Sequence, residues 1–133
     1  MSMETVNRPW GYYIVMCNDL SELRGQKYQV KKLVIKPEQR ISLQSHDHRD
    51  EYWTILQGTG LLVKGDFTNG LAKEYLSPGR QLYIPKRQVH RATNTSKLED
   101  LIILEAQMGN LIDEKDIVRY DNNLDKDLPN GGL

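Results

Sequence analysis

The segment ISLQSHDHRDEYWTILQGTG, residues 41–60, decides most of what the sequence predicts about the fold. Two short runs, residues 41–44 and 52–56, enclose a polar stretch that contains two of the chain's three histidines. The tight reversal Gly58-Thr59-Gly60 closes the segment. Runs rich in β-branched, aromatic and leucine residues between turn signals are typical of β-strands. We therefore predict two strands here, with the polar stretch between them.

The same pattern continues on both sides of this segment. The predicted strands are residues 28–35, 41–44, 52–56, 60–64, 72–76, 81–84 and 101–107. Asn69-Gly70 and Ser77-Pro78-Gly79 separate some of them and are turn signals. Many short strands at close spacing predict an all-β sandwich or barrel. One short helix is expected at residues 113–118, with Asp113 as its N-cap.

Length and composition fit one domain over residues 1–133 that ends in a polar C-terminal tail, residues 122–133. Basic and acidic residues number 18 each, so the formal net charge is zero. This balance argues against nucleic acid or an anionic membrane as a partner, although a local basic pocket for a phosphate stays open. Cys17 is the only cysteine, and no apolar signal or spanning segment is present. We expect a cytoplasmic protein.

The chain has three histidines, His46, His48 and His90. The first two lie beside carboxylates, which indicates a metal site, and His90 is expected to reach the site from a separate strand. Alternate residues of a strand share a face, so Gln44 and His46 can point inward together. Glu51 can rejoin that face after a turn. We expect one divalent metal on Gln44, His46, Glu51 and His90. The mixed nitrogen and oxygen set suits zinc first, with manganese, cobalt, nickel or iron as alternatives.

These residues resemble the first motif of the cupin family, which reads Gly, five residues, His-X-His, three or four residues, Glu, six residues, Gly. The matching residues are Gln44, His46, Glu51 and Gly58. Glu38 replaces the opening glycine, and Gln44 stands in the first histidine place. An alternative register pairs His46 with His48, which leaves one residue too few before Glu51.

The second cupin motif reads Gly, five residues, Pro-X-Gly, two residues, His, three residues, Asn. It is matched by Gly79, Pro85, His90 and Asn94, with Arg87 in place of the inner glycine. Two matched motifs are more specific than either alone. The resemblance implies a double-stranded β-helix, the jelly-roll barrel of the cupins.

A closer resemblance, over residues 8–121, is to the isomerase domain of type II phosphomannose isomerases. It rests on Arg8-Pro9-Trp10-Gly11, on ISLQ-X-H-X-HR-X-E-X-W over residues 41–53, and on Glu105-X-Gln107-X-Gly109. That family interconverts mannose 6-phosphate and fructose 6-phosphate with a divalent metal. The resemblance implies this reaction, feeding nucleotide-sugar and polysaccharide synthesis. In that family a nucleotidyltransferase domain often precedes this domain; we expect the stand-alone isomerase form here.

The resemblance also assigns roles around the motif. Arg49 matches a functional arginine of the family and could hold a phosphate or stabilise charge, the alternative being a salt bridge to Asp47 or Asp50. His48 is a candidate general base, and the alternative is an ordinary surface histidine on a turn. Tyr52 stands where the family usually has histidine, so it could keep a hydrogen bond but could not titrate near neutral pH.

Lys86 and Arg87 flank the second motif and are the candidate phosphate-binding residues, with solvated loop charges as the alternative. Lys31 and Arg40 are weaker candidates. Two other functions stay open. One is a non-catalytic cupin that binds a sugar phosphate or nucleotide sugar, which Tyr52 and Glu38 favour, and the other is a different cupin enzyme. By analogy with cupins of this size we expect a homodimer, formed through edge strands or an N-terminal arm.

Overall fold

The computed structural model describes residues 3–23 and 25–120, so the predicted tail at residues 122–133 lies outside the described residues. Within them the chain is all β, as predicted, and no helix is long and apolar enough to cross a membrane. The strands are β1 (Glu4–Arg8), β2 (Gly11–Asp19), β3 (Lys27–Ile35), β4 (Gln44–Ser45), β5 (Arg49–Gln57), β6 (Gly60–Asp66), β7 (Gly70–Leu76), β8 (Gln81–Ile84), β9 (Val89–Asn94), β10 (Leu101–Gly109) and β11 (Val118–Arg119).

The strands form two antiparallel sheets. One sheet has six strands in the order β1-β2-β3-β10-β5-β8, and the other has five in the order β11-β4-β9-β6-β7. Strands that are distant in the chain lie side by side, since β10 pairs with both β3 and β5, and β9 pairs with β4 and β6. This crossing of the chain between two facing sheets is the jelly-roll arrangement that the sequence predicted.

The inner surface changes from apolar to polar along each central strand. On β10, Leu101 and Ile103 belong to the hydrophobic core, whereas Glu105 and Gln107 on the same face are buried polar residues. The register places Gln107 opposite Glu51 of β5. A side-chain period of two keeps both kinds of residue facing inward. The apolar end therefore stabilises the barrel, and the polar end is available for a site.

Most predicted strands are confirmed, but residues 41–44 are wrong as a strand. Only Gln44 of that run belongs to β4, and the chain before it makes isolated contacts, such as the bridge between Arg40 and Thr93. The predicted helix at residues 113–118 is also wrong. The Asp113 carboxylate accepts a bond from the backbone N–H of Lys115 at 2.8 Å, which makes a single turn before β11. The sequence did not predict β1, β2 or β11, and for β9 it predicted only that His90 lies on a separate strand.

The predicted turns are confirmed by their backbone angles. Gly58 has φ of 90°, and a Cβ atom there would lie 2.5 Å from the carbonyl oxygen of Asp100. Gly79 has φ of 89° in the turn between β7 and β8. Glycine adopts this region without steric cost, which explains why both turns use it.

Candidate metal centre

His46, Glu51 and His90 bring their ligand atoms within 4.8 Å of one another. Nε2 of His46 lies 3.3 Å from Oε2 of Glu51, and Nε2 of His90 lies 3.6 Å from Oε1 of the same carboxylate. All three side chains are buried. Glu51 comes from β5 of one sheet and His90 from β9 of the other, so closure of the barrel assembles the cluster. The sequence predicted this grouping.

Both imidazoles are oriented by backbone carbonyl groups. Nδ1 of His46 lies 2.7 Å from the carbonyl oxygen of Asp116, and Nδ1 of His90 lies 2.9 Å from that of Gln88. A carbonyl oxygen only accepts, so each Nδ1 carries the proton and each Nε2 is left with an unprotonated lone pair in the cluster. Burial lowers the pKa of His46 to about 4 and also lowers the pKa of His90. Both rings are therefore neutral at neutral pH, which is the form that binds metals.

Arg49 is the charge partner of Glu51. Its Nε and Nη2 donate to Oε2 of Glu51 at 3.0 and 2.8 Å, and Nη2 also lies 3.2 Å from Nε2 of His46. Burial alone would raise the pKa of Glu51, but the positive charge of Arg49 opposes burial and the net shift is downward. The glutamate is therefore ionised. The alternative predicted for Arg49 was a salt bridge to Asp47 or Asp50. Arg49 does form a salt bridge, but its partner is Glu51.

These donors fit a divalent metal ion. Two neutral imidazole nitrogens and one ionised carboxylate form a mixed set of the kind that zinc and other first-row metals accept. Gln44 lies opposite His90 in the register and lines the same cavity as His46. Its amide nitrogen donates to the carbonyl oxygen of Ser42 at 3.2 Å, and this hydrogen bond orients the amide group. Ligation by the Gln44 oxygen stays a prediction.

A second buried carboxyl group, Glu105, touches the cluster. The indole Nε1 of Trp53 lies 3.0 Å from Oε1 of Glu51 and 3.2 Å from Oε1 of Glu105, and Nε2 of Gln107 donates to the other Glu105 oxygen at 3.0 Å. Burial, followed by the charge of Glu51, raises the pKa of Glu105 to about 8. Sequence reasoning did not assign Glu105 a role, although an acidic residue at an inward position of β10 was the available signal.

The cluster opens into a cavity of about 420 Å³. Five basic residues line it, against the acidic Glu105 and Glu114; the basic residues are Arg8, Lys31, Arg40, Arg49 and Arg119. The cavity wall is thus basic in a chain whose formal net charge is zero. Such a wall concentrates small anions. The sequence named Lys31 and Arg40 only as weak candidates for this purpose.

Tyr52 does not face this cavity. It stacks on Tyr83 with ring centroids 5.0 Å apart, and it is 45% exposed. Its neighbours Glu51 and Trp53 point inward, and successive residues of a strand point to opposite faces. Tyr52 therefore lies on the outer face of the barrel, and its catalytic role stays a prediction.

His48, Lys86 and Arg87 also lie outside the residues that line the cavity. His48 is exposed on a turn, where its backbone N–H donates to the Asp116 carboxylate at 3.0 Å. Arg87 is exposed and lies 4.0 Å from Asp47. The predicted roles of His48 as general base and of Lys86 and Arg87 as phosphate ligands stay predictions, made for exposed residues outside the cavity lining. Gln44 and His46 both line the cavity and the exposed His48 does not, which favours the motif register that uses Gln44 with His46.

Comparison with known proteins agrees with this geometry. A family described as mannose-6-phosphate isomerase C-terminal matches residues 1–122. The chain belongs to this family.

The curated relatives that this chain matches are much longer than it is. The xanthan biosynthesis protein XanB of Xanthomonas campestris pv. campestris (strain B100) is 38% identical over 117 residues, which is 88% of this chain and 22% of that protein. The alginate biosynthesis protein AlgA of Pseudomonas aeruginosa has the same identity and coverage. A mannose-1-phosphate guanylyltransferase of Sinorhizobium fredii is 32% identical over 125 residues, which is 94% of this chain and 22% of that protein. The chain spans about a fifth of the length of these relatives.

Solved structures share the fold of this isomerase-family domain. The capsular polysaccharide assembling protein CapF of Staphylococcus aureus aligns with a TM-score of 0.73 at 16% identity, covering 90% of this chain and 34% of that chain. Oxalate decarboxylase of Bacillus subtilis aligns with a TM-score of 0.75 at 14% identity, covering 89% of this chain and 30% of that chain. At such low identity the likeness concerns the fold alone, and it confirms the predicted cupin barrel.

Proposed function

We propose that this domain is a metal-dependent isomerase that interconverts mannose 6-phosphate and fructose 6-phosphate. The observation that carries the proposal is the buried cluster of His46, Glu51 and His90 at the wall of a basic cavity. Membership of the mannose-6-phosphate isomerase C-terminal family supports the same reaction. One divalent ion per domain is expected, zinc before manganese, cobalt, nickel or iron, with Gln44 as a fourth ligand.

The cavity suits a hexose phosphate in size and charge. Its volume of about 420 Å³ lies within the usual range for small-molecule sites. Arg8, Arg40 and Arg119 line it from three separate parts of the chain, and guanidinium groups bind phosphate oxygens in pairs. We assign the substrate phosphate to these arginines, in place of the exposed Lys86 and Arg87.

Aldose–ketose isomerisation moves a proton between adjacent carbons through an enediol-like state. A bound divalent ion supplies an electrophile that stabilises negative charge on the substrate oxygens. The chain must also supply a group that carries the proton. Glu105 is the carboxyl group beside the cluster that also lines the cavity, and Trp53 and Gln107 hold its two oxygens. We assign proton transfer to Glu105.

The relatives support a wider setting for this activity. Their names refer to xanthan and alginate biosynthesis and to mannose-1-phosphate guanylyltransferase. A mannose-6-phosphate isomerase would feed the same supply of nucleotide sugars. We place the domain in the cytoplasm, where these sugar phosphates are made and used, and we propose a homodimer by analogy with other cupins.

A coupled assay tests the proposal directly. Protein depleted of metal and then reloaded with zinc, manganese, cobalt, nickel or iron is given mannose 6-phosphate, and fructose 6-phosphate is measured. Turnover with at least one metal is expected, and His90→Ala protein treated in the same way should be inactive. No product with any of the five metals would defeat the proposal.

A non-catalytic sugar-phosphate-binding cupin is the second candidate, and saturable binding without turnover would support it. Its sequence support came from Tyr52 and Glu38. Tyr52 stacks on the outer face of the barrel. Glu38 adopts a positive φ, which is the conformation that a glycine would provide there. Neither residue alters the cavity, so the isomerase remains the better supported function.

A further inference from the structure

We propose that the guanidinium group of Arg49 and a divalent metal ion compete for the same two atoms, Nε2 of His46 and Oε2 of Glu51. Metal binding would then displace Arg49 toward the anionic group of a ligand in the cavity. This inference rests on the metal site of the proposed function, but it does not depend on isomerase turnover.

His46 makes a hydrogen bond at each of its two ring nitrogens. Because Nδ1 donates to the carbonyl oxygen of Asp116, Nε2 carries a lone pair and no proton. Nη2 of Arg49 lies 3.2 Å from this Nε2 and donates to it. An imidazole nitrogen has one lone pair in the ring plane, and metal coordination uses the same lone pair. The hydrogen bond from Arg49 and a bond to a metal ion are therefore mutually exclusive.

The contacts of Arg49 with Glu51 also support competition with a metal ion. Nε and Nη2 of Arg49 both donate to Oε2, the carboxylate oxygen that faces His46 at 3.3 Å. Arg49 thus bridges two of the three atoms that define the candidate metal cluster. His90 lies on the other oxygen of Glu51, at 3.6 Å, and no contact between His90 and Arg49 is needed for the bridge.

Electrostatics makes the two cations exclude each other. A buried carboxylate requires a positive partner, and Arg49 is that partner for Glu51. A divalent ion bound to the same carboxylate would replace this charge and repel a guanidinium held a few ångströms away. Arg49 also lines the cavity, so a small displacement brings it to whatever anion is bound there.

Competition of this kind links two ligands. Metal binding releases Arg49 from Glu51, and an anion in the cavity accepts the released guanidinium. Each ligand should therefore strengthen the binding of the other by the same factor, as thermodynamic linkage requires. Removal of the arginine should strengthen metal binding and abolish the link.

Calorimetric titration with Co²⁺ tests this, with the cobalt absorption spectrum as a second measure of occupancy. Arg49→Met protein should bind Co²⁺ about tenfold or more tightly than the wild type, since one charge-assisted interaction no longer has to be broken. Mannose 6-phosphate at saturating concentration should tighten Co²⁺ binding to the wild type several-fold but leave Arg49→Met unchanged, after correction for binding of Co²⁺ to the sugar phosphate itself.

Arg49→Lys is the second variant, in case Arg49→Met does not fold without metal. A lysine nitrogen cannot make three of these contacts with the same geometry, so Co²⁺ affinity should rise by a smaller factor. Equal or weaker Co²⁺ binding in the folded variants, or no Co²⁺ binding by any of the proteins, overturns the inference. Tighter binding without isomerase turnover in the wild type would defeat the proposed function and leave this inference standing.

Discussion

Glu38 and Arg87 share a left-handed backbone conformation, with φ of 63° and 67°. Within residues 3–23 and 25–120 they are the two non-glycine residues with positive φ. They occupy the two positions at which the chain departs from a glycine in the cupin motifs. The barrel therefore keeps the turn geometry of the family at both places, although glycine is absent. At one of them the backbone N–H of Arg87 donates to the carbonyl oxygen of His46 at 2.7 Å, which ties this turn to the candidate metal centre.

Replacing either residue by glycine should stabilise the domain. A residue with a Cβ atom is strained in the left-handed region by about 1–2 kcal/mol, and the greater freedom of glycine in the unfolded chain removes part of the gain. We expect Glu38→Gly and Arg87→Gly each to raise the free energy of unfolding by about 0.5–1 kcal/mol. Urea denaturation measures the free energy of unfolding of each variant. Lys86→Gly is the matched control and should lower stability; a loss in all three variants would refute the strain argument.

His90→Ala should remove stoichiometric metal while the barrel stays folded. The substitution deletes one imidazole of the cluster and costs roughly 1–3 kcal/mol of stability, which a barrel with an apolar core tolerates. Metal content by atomic emission and secondary structure by circular dichroism are the measurements. His48→Ala removes an exposed histidine and should retain metal. Full metal occupancy in His90→Ala would contradict the proposed ligand set.

Glu105→Gln should lower kcat by roughly 100-fold or more while metal content stays unchanged, if Glu105 carries the proton. Glutamine has the same shape and keeps a partner for Trp53, but it cannot exchange a proton. Steady-state kinetics together with metal analysis separate this effect from loss of the ion. Glu99→Gln, at an exposed carboxyl group, is the control. Unchanged kcat in Glu105→Gln would exclude the assignment.

The ion pair between Glu114 and Lys31 should make stability depend on pH on the acid side. The carboxylate lies 2.6 Å from Nζ of Lys31, and, although burial opposes it, this lysine lowers the Glu114 pKa below its ordinary 4.5. A group whose folded pKa is lowered stabilises the protein fully above its unfolded pKa. That contribution is lost as the pH falls through the folded pKa.

The wild type should therefore exceed Glu114→Gln in stability at pH 6, and the difference should shrink as the pH falls below 4.5. Glu114 is half exposed, so solvent screening limits the difference to at most about 1 kcal/mol. Denaturation curves at several pH values measure it. A difference for Glu114→Gln that grows toward low pH would contradict the assignment.

Tyr52→Ala should change kcat/KM by less than about threefold, because the side chain lies on the outer face and acts at most on local stability. Loss of the stacked contact with Tyr83 should cost about 1 kcal/mol. Tyr83→Ala, which breaks the same contact from its other side, is the matched control. A loss of turnover in Tyr52→Ala that Tyr83→Ala does not reproduce would support a catalytic role for Tyr52.

The sequence predicted the strands well where two local signals agreed. Residues 81–84 match β8, and residues 28–35 lie within β3, because apolar or β-branched runs ended at turn signals. The run 41–44 carried the same signal but pairs through scattered contacts. The short helix at 113–118 was predicted from an N-cap alone, and the Asp113 carboxylate satisfies the same backbone groups in a turn.

The candidate ligands could be predicted, and the residues around them could not. His46, Glu51 and His90 belong to motifs whose spacing is visible in the chain. Glu105, by contrast, acquires its neighbours through the pairing of β10 with β5, which joins positions more than fifty residues apart. Lys86 and Arg87 were predicted to bind phosphate because they lie near His90 in sequence, whereas Arg8 and Arg119, which line the cavity, lie outside both motifs and come near them only in space.

By itself the sequence determined the class of fold, its turns and the identity of the atoms that could hold a metal ion, because strand periodicity, glycine turns and motif spacing are properties of short segments. The place of Glu105 beside Glu51 and the face of the barrel on which Tyr52 lies were decided by tertiary structure. These depend on which strands pair, in which register, and on which side of the closed barrel each residue faces. A one-residue change in register would turn every side chain of a strand to the opposite face of its sheet.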